Sequence, residues 1–418
     1  MTIQPCVLTV LFPLALAAQP NYELLLKGGQ VIDPRNSING KLDVAIQGGR
    51  VARIAAAIPA SEARRVVDVT GLYVVPGLVD IHVHVFAGNG IPGALTGDHS
   101  VYPDGYTFRA GVTTAVDAGT SGWRNFPDLK RRVIDRSRTR ILAMLNICGG
   151  GMGGKNEQDT ADMAPEPLAK LAKQHPDVIV GVKTAHYSGP EWIAVDNAVK
   201  AGTMAGIPVM VDFGSNRPER PIGELLLDRL RPGDIYTHAY SGLRHELGDD
   251  GRLNPAMIAG RKRGIFFDVG HGGGSFVWRV AVPAARESFF PDSISTDLHT
   301  GSMNAGMKDM LNVMSKILNL GAPLEDVIRM STSNPARQIK RPELGHLGAG
   351  AAADVAVLRL DEGRYGFVDV RNARKTGSRQ LVCEMTIRDG RVVWDLNGRA
   401  ADDWETAPVR PARATQKK

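Results

Sequence analysis

The sequence predicts an α/β protein: a (β/α)8 TIM barrel with a small β-sandwich domain formed from both termini. Three observations lead there. Eight apolar runs alternate with helix-like segments between residues 73 and 298. Both flanks of that region are built instead from short strands and Gly-rich turns. Histidine, lysine and aspartate residues fall at the ends of the apolar runs, the end at which a (β/α)8 barrel carries its chemistry.

The 418 residues are 43% hydrophobic and 22% charged, an ordinary globular profile with length for one large core and a smaller one. Net charge is +6, but the basic residues are scattered rather than striped among aromatics. A nucleic-acid partner is therefore not expected. Residues 7–18 form an apolar run that contains Pro13 and is too short to span a bilayer as a stable helix. With Ala15-Leu16-Ala17 as a small-x-small cleavage site, residues 1–18 read as a secretory signal peptide, although no Lys or Arg precedes the run. The expectation is a periplasmic or secreted protein without membrane contact after signal removal, a cytoplasmic one being the alternative. Cys6 would leave with the signal, and Cys148 and Cys383 alone make no disulfide framework.

Residues 20–73 supply the first part of the sandwich. Lys27-Gly28-Gly29 reads as a turn between two strands, and Gly48-Gly49 as a second turn, because paired glycines supply the positive φ that tight hairpins need. Residues 343–400 repeat the device, with Asp389-Gly390 between two strands. Residues 401–418 form a basic tail expected to be disordered. The barrel spans 74–342. Its runs are 73–84, 112–119, 140–148, 178–186, 207–213, 234–239, 264–270 and 293–298, and Pro127, Pro165, Pro190, Pro255 and Pro323 suit first turns of the helices between them.

The candidate site follows from these run ends. His82 and His84 sit i, i+2 at the end of the first run and so point to one side of a strand. Two adjacent imidazoles are half of a divalent-metal site. Lys183 lies inside the otherwise apolar fourth run, where a charge must be paired, neutral or modified. His238 ends the sixth run, Asp268 and His271 the seventh, and Asp297 the eighth. Each alone is an ordinary structural residue. Together they offer the groups of a metal-assisted hydrolase.

Val75-Pro76-Gly77-Leu78-Val79-Asp80-Ile81-His82-Val83-His84 resembles the signature of the amidohydrolase superfamily, and the barrel with a terminal sandwich resembles its domain plan. Residues 109–119, 267–275 and 294–300 and Ser333-Asn334-Pro335-Ala336 extend the similarity toward the dihydroorotase-like deacetylase metallohydrolases. The resemblance implies two divalent metals, zinc being expected. His82, His84 and Asp297 would hold one; Lys183, carboxylated by CO2, would bridge both; His238 would bind the second. It further implies a bridging hydroxide as nucleophile, Asp297 as its proton acceptor, and His271 in contact with a substrate carbonyl or carboxylate. The family places a second histidine at the end of the fifth run, where this chain has Asp212. Asp212 is expected to ligate the second metal; supply from His186 or His99, or a one-metal site, are the alternatives. The implied reaction is hydrolysis of an amide or ester acyl group of a small molecule, such as an N-acyl amino acid or an acetylated hydroxy acid. Cyclic-amide hydrolysis of dihydroorotase or hydantoinase type and a non-catalytic scaffold are the rivals. A homo-oligomer is a family-level expectation.

Overall fold

The computed structural model describes residues 21–87, 95, 97–212 and 217–408. The expected signal peptide, most of the loop after His84 and the end of the basic tail lie outside the described residues. Among the described residues no helix is long and apolar enough to cross a membrane.

The N-terminal strands are β1 (Leu24–Asp33), β2 (Ile38–Gln47), β3 (Arg50–Ala55), β4 (Val66–Asp68) and β5 (Tyr73–Pro76). Gly48 (φ 57°) and Gly49 (φ 73°) turn β2 into β3, with Gln47 opposite Arg50, as the paired glycines predict. The other Gly pair behaves differently. Gly28 and Gly29 do not end a strand; they make an irregularity within β1, which passes from its parallel partner β4 (Leu25 opposite Val66) to its parallel partner β5 (Gln30 opposite Tyr73). Gly28 takes φ 79° there, and its N–H donates to Asp43 Oδ1 at 2.8 Å. The glycines thus bend one strand so that it serves two neighbours.

Next come the parallel strands β6 (Leu78–Val83), β7 (Val112–Gly122), β8 (Arg140–Asn146), β9 (Ile179–Thr184), β10 (Val209–Val211), β11 (Ile235–Tyr236) and β12 (Phe266–Phe267), hydrogen-bonded in sequence order. β6, β7 and β9 are buried along their whole length. Such strands read as continuous apolar runs because helices cover the outer face. One buried cluster joins Val79, Val116, Leu142, Val180 and Met210, a residue from each of five strands, and Ala336 and Ile339 close it from the segment after β12. Burying each such side chain contributes about 1.5–3 kcal/mol.

The eighth run forms isolated parallel bridges rather than a strand. Ser293 bridges Asp268 beyond β12, and Leu298 bridges Val83 of β6. Asp80 Oδ1 accepts from the N–H groups of His82 (3.2 Å) and Thr296 (3.1 Å), which holds the first and eighth runs together. The prolines divide. Pro165 and Pro255 open their helices, Pro165–Gln174 and Pro255–Lys262, and Pro127 lies in the first turn of Phe126–Leu129. Pro323 instead precedes its helix, and Pro190 lies before Ile193–Ala205.

The chain then returns as β13 (Val355–Val368), β14 (Arg374–Arg388) and β15 (Arg391–Asp395). β13 pairs antiparallel with β5, so both termini build one mixed sheet of order β15-β14-β13-β5-β1-β2-β3, with β4 attached to β1. The hydrogen bonding is continuous across this sheet, where the sequence predicts a sandwich of two. It has its own core, which includes Leu26, Val44, Ile46, Val74, Val355 and Ile387.

Candidate active site

The ends of the parallel strands meet at one cavity of about 390 Å3. His82 and His84 enter it from the end of β6, Lys183 from β9, Asp212 from just past β10, His238 from just past β11, and Asp297 from the eighth run. All six side chains line the cavity, with His99, Met152, His186 and His299 around them. The sequence-predicted residues are therefore together, except His271, described below, and Asp268, which does not line the cavity and accepts from Thr237.

Hydrogen bonds behind the imidazoles decide which nitrogen faces inward. The Gly270 carbonyl lies 2.5 Å from His238 Nδ1 and can only accept, so that nitrogen carries the proton. His82 Nδ1 lies 3.0 Å from Thr237 Oγ1, whose hydroxyl in turn donates to Asp268 Oδ2 at 2.8 Å. His84 Nδ1 lies 2.8 Å from Thr120 Oγ1. Each Nδ1 is thus occupied, and each Nε2 is directed into the cavity. There His84 Nε2 lies 2.9 Å and His82 Nε2 3.6 Å from Asp297 Oδ1, and His238 Nε2 lies 3.1 Å from Asp212 Oδ2. Lys183 Nζ lies 2.8 Å from His82 Nε2. Ligand atoms of His82, His238 and Asp297 all lie within 4.8 Å of one another. Imidazole lone pairs directed at carboxylate oxygens, with their far nitrogens fixed by outer partners, form a donor set that fits a divalent metal.

The electrostatics agree with that chemistry. Burial alone would raise the Asp297 carboxyl, but His82 and His84 outweigh it and hold the group well below the usual carboxylate range. Burial likewise opposes ionisation of Asp212, and His238 and Arg244 overcome it. Lys183 is fully buried and its pKa is lowered, burial outweighing the pull of Asp212 and Asp297. His186 is half-exposed at the cavity mouth. Burial would lower its pKa, but a 2.9 Å bond from Nδ1 to the buried Glu157 and the nearby Asp212 raise it to about 9. His186, His238 and Asp297 adopt left-handed backbone (φ 49°, 63° and 52°), uncommon for residues other than glycine and frequent where a site dictates a side chain's direction.

His271 departs from the expectation. Its side chain does not line the cavity. It is fully buried and stacked on Phe276 at 4.7 Å, and its Nε2 lies 2.6 Å from Lys316 Nζ. Burial and the neighbouring Lys316 lower its pKa to about 3, so it stays neutral. The glycines that follow it do reach the site, since Gly273 and Gly274 line the cavity. His271 therefore props the loop instead of facing a substrate. Arg244, Glu157, Thr237 and Thr120 were not singled out in the sequence. Each acts through a partner between 29 and 36 positions away, and no local motif marks them.

Imidazoles, a buried lysine and carboxylates converging at the ends of parallel strands define a metal-dependent hydrolase. Residues 281–394 match the amidohydrolase family model. The chain is 34% identical over 331 residues to a deacetylase of Agrobacterium fabrum, covering 76% of this chain and 78% of the relative. It is 29% identical over 388 residues to a deacetylase of Enterococcus faecalis, covering 89% of this chain and 99% of that protein. Among solved structures it superposes on an adenine deaminase with TM-score 0.80 and 26% identity, over 90% of this chain and 100% of the other. A dihydroorotase gives 0.77 and 28%, over 89% and 99%. The chain belongs to the amidohydrolase superfamily, among its deacetylase- and dihydroorotase-like members.

Proposed function

We propose that this enzyme is a deacylase that removes a small acyl group, such as acetyl, from an amide or ester of a small molecule. The observation that carries the reading is the alignment with deacetylases along most of the chain, joined to a metal-fitting donor set in a cavity of small-molecule size. In this reading His82, His84 and Asp297 hold one divalent ion, zinc being expected. Lys183, Asp212 and His238 hold a second, and residues 293–298 are the eighth stave of a closed barrel. Bound metal supplies an acidified water and a polarised acyl carbonyl.

The chain's own residues do the rest. Asp297 stays ionised at neutral pH, so its carboxylate can take the water's proton and return it to the leaving nitrogen or oxygen. Burial favours the neutral amine of Lys183, the form that adds CO2 to give a carbamate. Carboxylation would turn that buried neutral amine into an anion that faces the metals, with release of its proton. Met152 and Leu95 supply the apolar wall against which a short acyl chain would rest.

The test is a panel of N-acetyl amino acids, O-acetyl hydroxy acids and dihydroorotate, assayed on zinc-loaded protein. Acetate release from the first two groups supports the reading. Ring opening of dihydroorotate without acetate release would replace it with cyclic-amide hydrolysis, the chemistry its dihydroorotase neighbour favours.

A further inference from the structure

Asp212 stands where the superfamily resemblance places a neutral histidine, and the structure supplies it with a partner. Arg244 is buried, and its Nη2 donates to Asp212 Oδ1. The guanidinium is held from the far side. Its Nη1 donates to Ser241 Oγ at 3.2 Å, and the backbone N–H of Arg244 donates to Glu246 Oε2 at 3.1 Å, which fixes the start of the side chain. Asp212 Oδ2 faces the opposite way, 3.1 Å from His238 Nε2 and 3.7 Å from His186 Nε2. One carboxylate oxygen is thus committed to a cation of the protein and the other to the cavity.

An imidazole ligand brings no charge to a metal site. An aspartate in the same place adds one negative charge, which alters the field at the metals and is costly to bury without a partner when they are absent. Arg244 balances that charge at one carboxylate oxygen, while the other faces the cavity histidines. We infer that Asp212 and Arg244 form one unit, in which Arg244 is a positioning residue. The pair takes the electrostatic place of a single neutral histidine at the second metal position. This rests on the metal centre proposed above.

The experiment is zinc affinity, by competition with a chromophoric chelator, for the wild type, Asp212→His, Arg244→Met and the double variant. Asp212→His leaves Arg244 as a buried cation beside the metal, so zinc binding at the weaker site should fall at least about tenfold. Removing the cation as well, in the double variant, should return it to roughly the wild-type value. Arg244→Met alone should tighten zinc, because the carboxylate loses its competing cation. Thermal unfolding of all four proteins is recorded alongside. A merely structural Arg244 would lower the melting temperature of the double variant without restoring zinc. Asp212→His that binds zinc as tightly as the wild type, or a double variant no tighter than Asp212→His, overturns the inference. A wild type that binds no zinc removes the metal centre itself, and the inference with it.

Discussion

Gly119 packs its bare Cα against the side chain of Lys183. A Cβ built on Gly119 would lie 2.6 Å from Lys183 Cγ and 2.7 Å from its Cβ, and Gly119 also holds φ 83°. The lysine can occupy the end of β9 only because its neighbour on β7 has no side chain. Gly119→Ala is therefore expected to destabilise the fold by about 1–3 kcal/mol through backbone strain and crowding. It should also reduce hydrolysis more than the stability loss explains, because Lys183 must move. Denaturant unfolding and rate measurements on the same sample check both effects.

Lys183→Ala removes the amine that would carry the carbamate. Activity should fall by about a hundredfold or more, with loss of bound metal. Formate or acetate added at high concentration should restore part of both, by placing a carboxylate in the vacated space. A fully active Lys183→Ala protein would exclude the bridging role.

Thr237 connects His82 to Asp268, accepting from the ring and donating to the carboxylate. Thr237→Val keeps the shape and removes the hydroxyl. It removes the hydroxyl bonded to His82 Nδ1, while Asp268 keeps the bonds from Ser293 and Ser295. Zinc affinity should drop by about 10–100-fold with little change in fold, as read by chelator competition and circular dichroism.

Lys316 is buried against His271 and the carbonyls of Gly306 and Val368, and burial lowers its pKa to about 7. The unfolded lysine stays protonated up to about pH 10.4. Between those values the unfolded state binds more protons than the folded one, so this group makes stability rise with pH above 7. Below pH 7 both states are protonated and the contribution is constant. Lys316→Met should flatten the rise between pH 7 and 9, measured as the difference in thermal stability between the two proteins. Equal slopes would show that Lys316 does not change its charge there.

Much of the site was legible because parallel strands covered by helices expose their chemistry at the strand ends. His82, His84, Lys183, His238 and Asp297 each lie in the last part of an apolar run, and the structure brings all five to one cavity. What escaped depends on partners distant in sequence. His271 lies among glycines at a strand end, as a substrate ligand would, but Lys316, 45 positions later, claims its Nε2. Arg244 lies in a loop with no motif, and its meaning comes only from contact with Asp212. The Gly28-Gly29 pair reads as a turn for a similar reason. A bend and a turn ask the same φ of glycine, and only the positions of β4 and β5 distinguish them.

Anomalous diffraction at the zinc edge, from crystals grown with zinc and bicarbonate, tests the metal centre most directly. The strongest peak should lie about 2.0–2.2 Å from His82 Nε2, His84 Nε2 and an Asp297 carboxylate oxygen. A second should lie between His238 Nε2 and Asp212 Oδ2, with extra density on Lys183 Nζ joining the two. A cavity with no anomalous peak, while zinc binds elsewhere on the protein, would contradict the assignment of these residues as a metal centre.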